Sequence, residues 1–222
     1  MTKPAVLFDL DGTLLDTLDD LTNAVNYILR KYAYPERTKR EVRSFLGNGA
    51  LALIKCSLPE DVGEEILQDR LAEYVEYYNA HSRIETKPYE GVLSFLEELK
   101  GKGIAVAVVS NKPDRAVKEL CREYFGDLVT FAVGDRADIA RKPSADPVKY
   151  AMTAIGCDKA VYVGDSEVDV LTAQNAGMPC ISMTWGFRDR DVLEECGAKY
   201  FADNADELKK YVYDLLSVED AR

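Results

Sequence analysis

The sequence predicts an α/β fold: a doubly wound parallel sheet of the Rossmann-like kind, with a helical domain inserted after its first strand. Three observations lead there. Residues 4–9 are a short apolar run that ends in a carboxylate. Residues 17–86 then carry helical periodicity almost throughout. From residue 87 onward, apolar runs of strand length alternate with amphipathic segments.

Taken in order, residues 4–9 read as a buried strand with a functional residue at its carboxyl end. In the insertion, Leu21, Val25, Ile28, Leu29 and Tyr32 share one helical face, as do Leu67, Leu71, Tyr74, Val75 and Tyr78. These tyrosine-rich stripes read as packing, and Gly47, Asn48 and Gly49 mark a loop between helices. Residues 91–100 form an amphipathic helix closed by Gly101 and Gly103, and 104–109 a β-rich run. Pro113 suits a first helical position, with Val117, Leu120 and Cys121 facing inward. Residues 129–133 are a further strand, Asp146-Pro147 opens another helix, and 160–163 is a fourth strand. A helix running to Gly177 and a fifth strand at 180–183 follow. The domain expectation is therefore an α/β core of residues 1–16 and 87–222, with a helical cap of residues 17–86.

Composition narrows the function. Of 222 residues, 39 are acidic and 28 basic, a formal charge of −11. An acidic surface repels phosphate backbones and anionic lipid, which argues against nucleic-acid and membrane partners. Hydrophobic residues make up 47%, enough for a sizeable core and too many for a disordered chain. The five cysteines are widely spaced with no C-x-x-C pair, and read as free thiols of a reducing compartment. With no apolar run of membrane-span length and no signal-peptide pattern, the expected localisation is cytoplasmic. His81 is the only histidine, which leaves no basis for a cysteine–histidine zinc site. Monomer and homodimer are both open.

In an open parallel sheet, ligands bind at the carboxyl ends of the strands. Collected there are Asp9-Leu10-Asp11-Gly12-Thr13, Ser110-Asn111-Lys112, Lys142-Pro143, and Gly164-Asp165-Ser166 through Asp169. A hydrophobic core has no use for that set. Asp9, ionised at neutral pH, suits a phosphoryl acceptor. Asp11 suits an acid that protonates the departing alkoxide and then a base that activates water. Asp165 and Asp169 share one face if a helix begins between them, and with Asp9 they offer the hard oxygen ligands that Mg²⁺ prefers. Lys142, Ser110 and Thr13 are candidates to hold the phosphoryl oxygens. Singly each segment has an ordinary structural explanation; together, in this order and three of them directly after strands, they describe a site.

These motifs resemble those of the haloacid dehalogenase superfamily, specifically its phosphatases with a helical cap after the first strand, and the resemblance spans nearly the whole chain. It implies Mg²⁺ as cofactor, a phosphoryl group carried on Asp9, Asp11 as acid and base, and a metal ligand from the Asp11 backbone carbonyl. It also implies Lys142 as a catalytic residue and phosphate contacts from Thr13, Ser110, Asn111 and Lys142. Within the superfamily the chain resembles the phosphoglycolate phosphatase group: residues 46–50 resemble its cap loop and 87–92 its return to the core. Ala145 departs from that group, which often carries proline there.

On this resemblance the expected substrate is a small phosphorylated metabolite, with Arg43, Gly47, Asn48 and Gly49 as a cap specificity loop. On the residues alone, Arg43 reads first as part of a solvated helix face. Alternatives are a pyrophosphatase or sugar-phosphate phosphatase of the same family, or a β-phosphoglucomutase-like phosphomutase. A dehalogenase lacks a second aspartate like Asp11. A phospho-accepting signalling module has no long helical insertion.

Overall fold

The structure, a computed structural model, describes residues 3–217. In chain order it runs β1 (Pro4–Phe8), β2 (Leu15–Asp16), α1 (Leu18–Lys31), α2 (Lys39–Phe45), α3 (Gly49–Ser57), α4 (Glu64–His81) and β3 (Lys87–Pro88). It continues α5 (Val92–Gly101), β4 (Ala105–Pro113), α6 (Asp114–Phe125), β5 (Phe131–Asp135), α7 (Asp146–Ile155), β6 (Lys159–Gly164) and α8 (Glu167–Ala176). Last come β7 (Cys180–Met183), α9 (Arg190–Glu195), β8 (Tyr200–Ala202) and α10 (Ala205–Leu216). The chain divides into two compact units, one of residues 1–15 and 88–222, the other of residues 16–87. None of the described helices is long and apolar enough to cross a membrane.

The first unit is built on a six-stranded sheet in the order β5-β4-β1-β6-β7-β8, every neighbouring pair parallel. Period-two alternation sorts its side chains to two faces. Val6, Phe8, Val106, Val108, Val161 and Val163 pack with apolar residues of α5, α6 and α10. Leu7, Ala107, Val109 and Tyr162 pack on the other face with Val148 and Ala151 of α7 and Ala173 of α8. A sheet covered on both faces must be apolar along its whole length, which is why these strands read as continuous hydrophobic runs.

Strand order reverses at β1: the chain fills β4 and β5 on one side, then crosses to β6, β7 and β8 on the other. The carboxyl ends of β1, β4 and β6 therefore meet at the switch point, where this class of sheet presents its ligand site. Here β4 departs from the sequence expectation. It does not stop near Val109 but continues to Pro113 through an irregularity, with Val109 opposite Val133 and Pro113 opposite Asp135. Three residues of β4 thus lie opposite one of β5, and a bulge of this kind re-aims the side chains inside it. Those side chains are Ser110, Asn111 and Lys112.

The second unit is helical. In α1 the buried residues include Leu21, Val25, Ile28 and Leu29, and in α4 Leu67, Tyr74 and Tyr78, on the faces that the periodicity predicts. Asp20 is the buried polar exception, 3% exposed. Its carboxylate accepts the backbone N–H groups of Ile84, Glu85 and Thr86 and the Thr86 hydroxyl, so the start and end of the unit are tied together. Thr38 and Glu41 close a capping box on α2.

Candidate active site

Asp9 directly follows β1, and its N–H donates to the Val163 carbonyl of β6 at 2.9 Å, extending the ladder by one residue. Its Oδ1 accepts the Leu10 N–H at 2.7 Å and lies 3.0 Å from Lys142 Nζ. Anchoring one oxygen leaves Oδ2 without a protein hydrogen bond among the described residues. Burial pushes the Asp9 carboxyl up to about 6, against the pull of the Lys142 charge and with that of Asp169 and Asp11.

Lys142, 2% exposed, is held from three sides: Asp9 Oδ1, Asp169 Oδ1 at 2.8 Å and the Tyr162 hydroxyl at 3.2 Å. Burial alone would lower its proton affinity, but the charges of Asp169 and Asp9 outweigh that and raise it well above the ordinary lysine range. The loop carrying it is fastened by Asn111, whose Nδ2 donates to the Lys142 carbonyl at 3.1 Å.

Helix α8 begins between Asp165 and Asp169. Ser166 is its N-cap and Asp169 the third helical residue, and the two form a reciprocal capping box. Asp169 Oδ2 accepts from the Ser166 hydroxyl at 2.7 Å and from the N–H groups of Ser166 and Asp165. Asp165, 1% exposed, accepts the Thr13 hydroxyl on Oδ1 at 2.8 Å and the Phe187 N–H on Oδ2 at 2.7 Å. Burial, then the neighbouring charges of Asp169 and Asp9, raises its proton affinity well above the carboxylate norm. It sits between two glycines: a Cβ on Gly12 would lie 2.4 Å from Asp165 Oδ2, and one on Gly186 2.2 Å from Asp165 Cβ.

The first unit gathers Asp9, Asp11, Thr13, Ser110, Asn111, Lys142, Asp165 and Asp169. Three placements bring partners that the sequence did not predict. The Thr13 hydroxyl donates to Asp165, so the proton expected for a phosphoryl oxygen is already committed. Both oxygens of Asp169 are engaged, with Lys142 and with its own helix, so it supports the site's geometry. The Asn111 amide nitrogen holds the Lys142 loop, and Ser110 Oγ accepts the Lys112 N–H. Arg43, Gly47, Asn48 and Gly49 belong to the helical unit, where Asn48 caps α3 between glycines at φ +105° and +79°.

Residues to which the sequence reading gave no role of their own complete the set. Lys112 Nζ lies 2.9 and 3.0 Å from the two oxygens of Asp11. The Tyr162 hydroxyl accepts from Lys142 and donates to the Val109 carbonyl at 3.1 Å; a tyrosine inside an aliphatic strand was its only signal. Trp185, the single tryptophan, donates its indole N–H to the Thr13 carbonyl at 3.2 Å.

One carboxylate oxygen from each of Asp9, Asp165 and Asp169 lies within 4.8 Å of the others. The donors are all oxygen. Four carboxylates (Asp9, Asp11, Asp165, Asp169) face two ammonium groups (Lys112, Lys142), leaving two uncompensated negative charges. Buried carboxylates such as Asp9 and Asp165, whose proton affinities are raised, are what a hard divalent cation relieves, so the residues fit one.

The family of haloacid dehalogenase-like hydrolases matches residues 6–183. Phosphoglycolate phosphatase 1 of Pseudomonas aeruginosa is 35% identical over 211 residues, covering 91% of this chain and 77% of that protein. The phosphoglycolate phosphatase of Rhodobacter capsulatus is 34% identical over 189 residues, 83% of this chain and 86% of its own. Among solved structures, a protein of Lactobacillus delbrueckii subsp. bulgaricus, provisionally assigned as a phosphoglycolate phosphatase, superposes with a TM-score of 0.89 at 34% identity, covering 96% of this chain and 99% of that one. The chain therefore belongs to the haloacid dehalogenase-like hydrolase family, and the members it resembles here are phosphoglycolate phosphatases.

Proposed function

We propose that the protein is a Mg²⁺-dependent phosphomonoester phosphatase that works through an aspartyl-phosphate on Asp9, with a small phosphorylated acid of the phosphoglycolate class as its substrate. The observation that carries the reading is Asp9 itself. It stands at the switch point of the sheet with one oxygen anchored, the other unencumbered, and the Lys142 ammonium 3.0 Å from the anchored oxygen. The named relatives support the choice of substrate over a sugar phosphate or pyrophosphate.

Asp9 and Asp165 are the side chains to hold the ion, with Asp169 completing the acidic group and the Asp11 carbonyl as a further ligand. When bound, Mg²⁺ supplies charge neutralisation for the incoming phosphate dianion. The chain's own residues do the rest. Asp9 Oδ2 attacks phosphorus as the bond from phosphorus to the ester oxygen breaks, and Asp11 gives that oxygen a proton. Water then attacks the phosphoryl group while Asp11 takes a proton back, releasing inorganic phosphate and restoring Asp9. Lys142 is a fixed cation beside the phosphoryl oxygens throughout, held in place by Asp169 and Tyr162. Ser110 and Asn111, re-aimed by the bulge in β4, line the same strand ends. The helical unit is the proposed cap, with Arg43 and residues 47–49 selecting the leaving group.

The test is phosphate release from a panel of phosphomonoesters and pyrophosphate, with and without Mg²⁺. Metal-dependent release, fastest from 2-phosphoglycolate, supports the reading. Fastest release from pyrophosphate, or interconversion of hexose phosphates with little release, replaces it.

A further inference from the structure

Lys112 brings a second ammonium to the strand ends, and nothing in the chemistry above uses it. Its side chain is 6% exposed and that of Asp11 17%. A lysine is taken out of water only with a partner, and here the partner is the proposed acid and base. The ammonium does not favour one carboxylate oxygen: it lies 2.9 Å from Oδ1 and 3.0 Å from Oδ2. A cation that straddles both oxygens fixes the tilt of the carboxyl plane as well as its place.

The bulge in β4 makes this reach possible. The Lys112 N–H turns to the Ser110 hydroxyl at 3.3 Å, in the stretch where the β4–β5 register shifts. Asp11 for its part follows the β1 ladder at the glycine turn of Gly12, where φ is +82°. The contact therefore joins two irregular segments on adjacent strands, neither of which would aim its side chain this way in a regular ladder.

We infer that Lys112 is a positioning residue for Asp11, holding the carboxyl group where its proton can reach the departing ester oxygen. This rests on the phosphatase reading. In that step the Asp11 O–H bond breaks, the proton passes to the ester oxygen as its bond to phosphorus breaks, and the charge appearing on Asp11 does so against an ammonium already in place.

The leaving group reports on this directly. An alkoxide needs a proton to depart, and p-nitrophenolate does not. Lys112→Met is expected to lower kcat/KM for 2-phosphoglycolate by about 10²-fold, within the range that a general acid contributes, and for p-nitrophenyl phosphate by no more than about 3-fold. In an Asp11→Asn background the same substitution should add no further loss, because the two residues act as one unit. Equal losses on both esters, no loss on either, or losses that add to those of Asp11→Asn overturn the inference. If circular dichroism shows the methionine variant unfolded, Lys112→Gln carries the same comparison. A wild-type enzyme that releases phosphate from neither ester overturns the phosphatase reading itself, and the inference with it.

Discussion

Asp169 divides its two oxygens between Lys142 and the first turn of its own helix: Oδ1 lies 2.8 Å from the Lys142 ammonium, and Oδ2 accepts from Ser166. The residue that closes the capping box of α8 is thereby the residue that aims the lysine. A helix N-terminus favours an anion at this position, so local folding and site geometry reinforce each other. The same economy recurs at Asp165, which ties Thr13, Phe187 and the acidic cluster together.

Replacing Lys142 by Met should lower kcat/KM for the preferred phosphomonoester by about 10²–10³-fold, the cost of one lost charged stabiliser, about 3–4 kcal/mol. It also leaves Asp9 and Asp169 facing each other without their shared cation, so the melting temperature should fall. Tyr162→Phe, which keeps the ammonium and removes only one of its three contacts, should cost far less. Steady-state kinetics on both variants checks the order.

Asp9→Asn should abolish turnover and at the same time stabilise the metal-free protein. The folded Asp9 carboxyl is raised from 3.8 to about 6, so between those values the folded state holds the proton more tightly than the unfolded chain. Stability contributed by this group is therefore complete below about pH 4 and is lost as pH rises to about 6. Two units correspond to about 3 kcal/mol. Urea titrations should show Asp9→Asn more stable than wild type at pH 7.5, by an amount on that order, and the advantage shrinking toward pH 4.

EDTA should silence the enzyme and Mg²⁺ should restore it, with Ca²⁺ a poor substitute because its looser, higher coordination does not hold an in-line geometry. Protons compete for the same oxygens. Since burial raises both Asp9 and Asp165, Mg²⁺ affinity measured by calorimetry should weaken as pH falls through about 6. Asp165→Asn should weaken it at every pH.

Gly12→Ala should damage the site although it changes no functional group. Gly12 has φ +82°, where an L-residue costs about 1–2 kcal/mol, and its Cβ would lie 2.4 Å from Asp165 Oδ2. Displacement of that carboxylate should appear as a raised Mg²⁺ requirement, titrated by activity against metal concentration.

In H₂¹⁸O, a small phosphomonoester should yield labelled inorganic phosphate, since in the proposed mechanism water attacks the phosphoryl group on Asp9. Asp11→Asn should slow that second step, and rapid quenching should then trap label from ³²P-substrate on the protein. Unlabelled phosphate would contradict hydrolysis by solvent.

Most of the switch-point residues were legible in the linear sequence because they stand where an apolar run ends, whereas Lys142 lies in the loop between β5 and α7. A strand buried on both faces must be hydrophobic throughout, so the carboxylates at Asp9 and Asp165 stand out against it. Glycine and proline likewise marked the helix boundaries at Gly101, Pro113 and Asp146-Pro147. The partners of those groups were not legible. Which carboxylate Lys142 meets, that Thr13 gives its proton to Asp165, and that Lys112 straddles Asp11 are contacts between residues 27, 152 and 101 positions apart. The bulge in β4 depends on how that strand pairs with β5, and no local propensity encodes a register. The sequence by itself thus determined the fold class and the chemical content of the site, through periodicity and through polar residues at strand ends. The tertiary structure alone decided who holds whom, because hydrogen-bond partners are chosen by proximity in space after the sheet has closed.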